Sequence, residues 1–96
     1  MPSIVATLKI KEGSSIEDMS KALKELQEDI LEKEAGSALI YNPHICEKDN
    51  TVVFYERYVD DEALKTHTKN LVKNKIMMKL FSFVDPRMEV KVLKDL

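Results

Sequence analysis

Residues 3–10 place Ile4, Ala6, Leu8 and Ile10 on one side and Val5, Thr7 and Lys9 on the other, the period of two that marks a strand with one buried face. Beyond a turn around Gly13 the period changes. Ile16, Met19, Leu23, Leu26 and Ile30 recur at helical spacing, while Lys21, Lys24, Glu25, Glu28 and Asp29 between them are charged. Ser14 with Glu17, or Ser15 with Asp18, offers an N-cap with an acid three residues on. A helix is therefore predicted from about Ser15 to Lys33, ended by Gly36, the residue best able to adopt a left-handed cap.

Two further strands are predicted, from Ser37 to Ile45 and from Thr51 to Tyr58, joined by the polar hairpin turn Glu47-Lys48-Asp49-Asn50. Asp60 or Asp61 then caps a helix with Leu64, His67 or Thr68, and Leu71 on one face. The apolar density of Ile76 to Val84 predicts a further helical stretch, stopped by Pro86, and the alternation from Met88 to Leu93 predicts a closing strand. The order β-α-β-β-α-β is the α+β, ferredoxin-like arrangement, with both helices on one face of a four-stranded antiparallel sheet. The other face is left bare. Strand three carries large side chains on either side, Val53, Tyr55 and Arg57 or Val52, Phe54, Glu56 and Tyr58, so two copies packed sheet on sheet are expected as a homodimer.

A chain of 96 residues accommodates one hydrophobic core, and a single domain over residues 1–96 is expected. With 44% hydrophobic and 33% charged residues it has the composition of a folded soluble protein, and its formal net charge of -2 gives no global attraction for nucleic acid or anionic membrane. The single cysteine, Cys46, cannot form an intrachain disulfide, no apolar run approaches a membrane span, and the start Met1-Pro2-Ser3-Ile4 lacks the pattern of a leader. A cytoplasmic location and a small-molecule partner are the expectations, with no nucleic acid and no membrane.

Several chemistries are excluded by what is missing. Gly13 and Gly36 are the only glycines, too few for a dinucleotide fingerprint or a phosphate-cradling loop. There is no Cys-x-x-Cys and no His-Glu-x-x-His; His44, Cys46 and distant His67 make a poor metal set, and no cofactor is expected. The densest run of ionisable groups is Tyr55 to His67, which joins a strand to a helix. There, Glu56 can shift the pKa of a nearby imidazole, and a histidine titrating near neutrality can take a proton from a phenol or carbon acid. Equally, Glu56 can pair with Arg57 or a lysine while His67, between Leu64 and Leu71, serves as a half-buried packing residue. Tyr41, Tyr55 and Tyr58 are either core aromatics or, along a cavity, a stack for a flat ring. Asn42, facing opposite to Tyr41, could hold a carbonyl. Lys65, Lys69 and Lys73 form a basic stripe, read either as a solvated face or as a mouth for an anionic substrate.

The residues quoted resemble the antibiotic biosynthesis monooxygenase family of small dimeric α+β barrels. The resemblance spans nearly the whole chain: the opening strand and Gly13 turn, Tyr41-Asn42-Pro43-His44, Tyr55-Glu56-Arg57-Tyr58 followed by Asp61-Glu62-Ala63-Leu64 and His67, and the ending Met88 to Leu93. It implies a cavity between helices and sheet and a cofactor-independent monooxygenase, in which a quinol or similar aromatic supplies the electrons to dioxygen. On that resemblance, His67 is the base or proton shuttle and Glu56 orients groups beside it, with Tyr41, Asn42, Tyr55 and Tyr58 as substrate-binding residues. Two departures narrow the match. Lys69-Asn70-Leu71-Val72-Lys73 replaces a stretch that often carries a second histidine, and Tyr58 stands where the haem-degrading branch has tryptophan. The alternatives are an isomerase of a small phosphorylated carbonyl compound, served by the lysine stripe and a lone histidine, and a non-catalytic dimeric binding module.

Overall fold

The computed structural model describes residues 1–96. Strand β1 (Ser3–Lys9) buries Ile4, Ala6 and Leu8 on one face, as its alternation requires. Gly13 turns the chain at a positive φ of 80°, a conformation open to glycine without steric cost. Helix α1 (Ile16–Lys33) starts at Ser15, whose hydroxyl accepts a hydrogen bond from the Asp18 amide at 3.1 Å. Met19, Ala22, Leu23, Leu26 and Ile30 form its buried stripe, whereas Ile16, expected on that stripe, is exposed in the first turn. Glu34 caps the C-terminus and Gly36 follows with φ 81°.

Strand β2 (Ala38–Cys46) and strand β3 (Thr51–Tyr58) form the predicted hairpin, with a bulge between Ala38 and Ile40 and Asn50 at positive φ in the turn. Asp60 caps helix α2 (Asp61–Leu71), accepting from the Ala63 amide at 2.8 Å. Asn74 caps a short helix α3 (Lys75–Leu80) and donates to Asp29 of α1. Strand β4 (Glu89–Leu93) closes the sheet along β1.

The strand order is β2-β3-β1-β4 with every neighbouring pair antiparallel, the ferredoxin-like topology. One correction concerns the segment after α2. The helix expected from Ile76 to Val84 ends at Leu80, six residues before Pro86. Carbonyls at 81 and 83 are taken by tertiary partners instead: the Lys11 Nζ donates to Phe81, and the Lys11 amide and Ser14 hydroxyl donate to Phe83. Val84 then bridges Ile10 as an extension of the sheet. No helix is long and apolar enough to cross a membrane.

Candidate active site

Alternation along β3 sends Val52, Phe54, Glu56 and Tyr58 to the helix-covered face, where all are buried. A carboxylate thus occupies a slot that the pattern otherwise fills with apolar groups. On α2, the Asp60 cap sets the phase that brings Ala63 and, one turn later, His67 onto the same sheet face; these are the buried residues of that helix. The C-cap of α1 contributes a third ionisable group, Glu34, only 7% exposed.

His67, 3% exposed, lies between the two carboxylates. Its Nδ1 is 3.1 Å from both oxygens of Glu34. That fork is what one N–H makes with an accepting carboxylate, so we assign the ring hydrogen to Nδ1. Nε2 faces Glu56 Oε1 at 3.6 Å, too long for a hydrogen bond, which leaves its lone pair available. Because Glu34 and Glu56 address opposite nitrogens of one ring, the three side chains do not converge on a point where a metal ion could sit.

Tyr58 donates to Glu56 Oε1 at 2.5 Å. Its ring centroid is 5.1 Å from that of His67, and the ring of Tyr41 is 5.3 Å away on β2. Burial raises the pKa of Glu56 above the ordinary carboxylate value, a push reinforced by Glu34 and partly countered by the Tyr58 hydrogen bond and by His67. The Tyr58 and Tyr41 hydroxyls are also held well above the usual phenol range, first by burial and then by the nearby carboxylates.

A cleft of about 220 Å³ opens beside this cluster. Ile4, Ala6, Leu64, Leu71, Met88, Val90 and Val92 supply apolar walls, and Glu56, His67 and Thr68 supply the polar end. Val90 and Val92 remain 51% and 69% exposed, so the cleft opens toward the β4 edge of the sheet.

Of the residues singled out from the sequence, Glu56, His67, Tyr41 and Tyr58 come together. Asn42 and Tyr55 do not. They are paired across β2 and β3 on the face opposite Glu56, and the exposed Asn42 accepts a hydrogen bond from Gln27 of α1. His44 is exposed on β2, and the Cys46 thiol donates to Asp49 in the hairpin turn. Of the lysine stripe, Lys65 and Lys69 border a separate surface depression and Lys73 borders one beside Glu34, and no lysine or arginine lines the apolar cleft. Glu34 was missed. The signal for it is an acid at the C-terminal end of a helix, where the macrodipole disfavours negative charge.

A family model described as antibiotic biosynthesis monooxygenase matches residues 1–71. Solved structures of the same shape include an antibiotic biosynthesis monooxygenase with 22% identity and a TM-score of 0.74, the match covering 100% of this chain and 99% of that one. A candidate antibiotic biosynthesis monooxygenase from Nitrosomonas europaea shares 12% identity at a TM-score of 0.75, with 100% and 99% of the two chains covered. Another from Caulobacter crescentus shares 16% identity at 0.74, with 99% and 89% covered. At these identities the structural likeness is one of fold. No curated protein matches the sequence significantly.

Proposed function

The chain belongs to the antibiotic biosynthesis monooxygenase family, and from that premise we propose that it oxidises a quinol or similar small aromatic with dioxygen, using no cofactor. The observation that carries this reading is the available Nε2 of His67, set with Glu56 at the polar end of an otherwise apolar cleft. A phenol needs a base within reach, and the resulting oxyanion needs a hydrogen-bond donor in a dry surround. The O–H bond of the quinol breaks, its proton joins Nε2, and the N–H so formed donates to the phenolate. The electron-rich ring reacts with dioxygen: a carbon–oxygen bond forms at a C–H carbon of the ring, the O–O bond breaks and the C–H proton is released. One oxygen stays on the ring, now a hydroxyquinone, and the other takes up two protons and leaves as water, the quinol supplying all the electrons.

Cleft size and lining bear on substrate choice. An apolar cavity of roughly 150 Å³ accommodates benzene, so about 220 Å³ suits one ring with substituents or two fused rings. With no cation on its walls and the Glu56 carboxyl at its end, the cleft is a poor receptor for a phosphorylated compound, which weighs against the isomerase reading. Tyr41 and Tyr58 stand against the base rather than stacking on a ring in the cleft, and we assign them to positioning. The sheet face that carries Val5, Val53 and Tyr55 has no helix over it, and we infer that a second copy covers it.

The test is oxygen consumption with a panel of mono- and bicyclic quinols, combined with ¹⁸O₂ labelling. Uptake matched to quinol loss, with one labelled atom in the product, is expected. Tight binding without uptake would instead make the chain a binding module, and neither binding nor uptake would remove the reading.

A further inference from the structure

The ionisable cluster borders openings on two sides of the imidazole. His67 and Glu56 line the apolar cleft. Glu34, on the other side of the imidazole, lines a polar cleft of about 310 Å³ with Lys33, Ser37, Asp60, Thr66 and Asn70. It also borders an adjoining polar depression with Lys73 and Asn74. Neither polar cleft shares a lining residue with the apolar one. The groups facing the His67 ring are Glu34 from α1, Tyr41 from β2, and Glu56 and Tyr58 from β3. Of these, Glu34 alone reaches both the ring and a polar opening.

We propose that Glu34 is the proton outlet of the site: substrate enters through the apolar cleft, and the proton it gives up passes across the His67 ring to Glu34 and into the polar cleft. The steps balance. The substrate O–H bond breaks as Nε2 uses its lone pair to bind the proton. The Nδ1–H bond then breaks, and that proton joins a Glu34 oxygen 3.1 Å away. Glu34 releases it to water in the polar cleft, leaving the ring neutral with its hydrogen on Nε2. The reverse movement brings a proton in through Glu34 to Nδ1 while the Nε2 hydrogen goes to the oxygen being reduced to water. Both crossings keep water away from the apolar walls, where it would otherwise solvate the phenolate and the oxygen species.

This inference rests on the base role given to His67 above, so the experiment includes a readout that needs no turnover. Exchange of the His67 ring N–H with solvent, followed by NMR on histidine-labelled protein, should slow at least tenfold in Glu34→Gln. The amide oxygen of glutamine can still accept from Nδ1 and hold the tautomer, so a purely structural Glu34 would leave exchange unchanged, and unchanged exchange overturns the proposal. In turnover, Glu34→Gln should lower kcat by roughly tenfold or more with KM little altered. Glu34→Ala should regain part of the lost rate on addition of formate, which supplies a small carboxylate through the polar cleft. A folded Glu34→Ala variant that formate fails to rescue would also overturn it. Slowed exchange in a protein that oxidises no quinol would leave the outlet standing and remove the monooxygenase reading instead.

Discussion

Replacing His67 with alanine tests the energetics of the site before any substrate is found. The imidazole is 3% exposed and separates two buried carboxylates, at 3.1 Å from Glu34 and 3.6 Å from Glu56. Removing it deletes a hydrogen bond to a charged acceptor, about 1.5–3 kcal/mol, and leaves both carboxylates facing a void. Against a total stability of roughly 5–15 kcal/mol, a loss of about 1.5–3 kcal/mol is a sizeable fraction, and at about 4–8 °C per kcal/mol for a chain of this size it lowers Tm by about 6 °C or more. Acidification should narrow the gap, because Glu56, whose pKa is raised by burial, takes up a proton and removes one of the two charges. The assay is urea unfolding of wild type and His67→Ala at about pH 7 and pH 4.5. A loss under about 1 kcal/mol at pH 7, or a gap indifferent to pH, would refute the view that the imidazole is a needed partner of the two buried carboxyl groups. The same reasoning warns that lost activity in His67→Ala must be read beside its stability.

Glu56→Gln should become more stable than wild type as pH rises. A carboxyl whose pKa is raised in the folded chain contributes its stabilisation in full below the ordinary value of 4.5 and loses it as pH climbs through the raised one. Glutamine has no such loss and can still accept from Tyr58, so urea midpoints at about pH 4 and pH 8 should diverge in its favour; equal midpoints at pH 8 would contradict the burial argument. Val90→Trp tests the cleft itself. Val90 is 51% exposed at the cleft's rim, so stability should stay within about 0.5 kcal/mol while quinol binding is lost, and unaltered binding by calorimetry would move the substrate elsewhere.

The fold was legible because its periods are clean. The alternation of Ile4, Ala6 and Leu8 and the Met19-to-Ile30 stripe each match a buried face, and Ser15, Gly36 and Asp60 stand where the chain changes direction. The stretch from Ile76 to Val84 misled because the carbonyls of Phe81 and Phe83 bond to Lys11 and Ser14, and a helical period carries no record of such distant donors. Glu56 and His67 were legible as a strand and a helix residue flanking one turn. Asn42 and Tyr55 were not separable from Tyr41 and Tyr58 by alternation, which divides a strand into two faces without saying which one the helices cover. Glu34 lies 33 residues from His67, and pairing across that distance needs the tertiary fold.

The energetics also bear on the choice between a packing and a chemical reading of the cluster. A β3 face that already buries Val52, Phe54 and Tyr58 would accept an apolar residue in place of Glu56, and α2 could carry one in place of His67. Exchanging a buried ionic cluster for apolar groups of similar volume is commonly neutral, or stabilising by about 1–4 kcal/mol. Packing alone therefore gives no reason for two carboxylates and an imidazole in so small a core. Their environments differ in a way that acid–base chemistry uses: Glu34 borders a polar cleft, while Glu56 borders apolar walls and holds its proton more tightly than an ordinary carboxylate. Two chemically identical groups thus stand in unlike surroundings on either side of one ring. The proton path proposed above uses that difference in surroundings, and a structural cluster has no need of it.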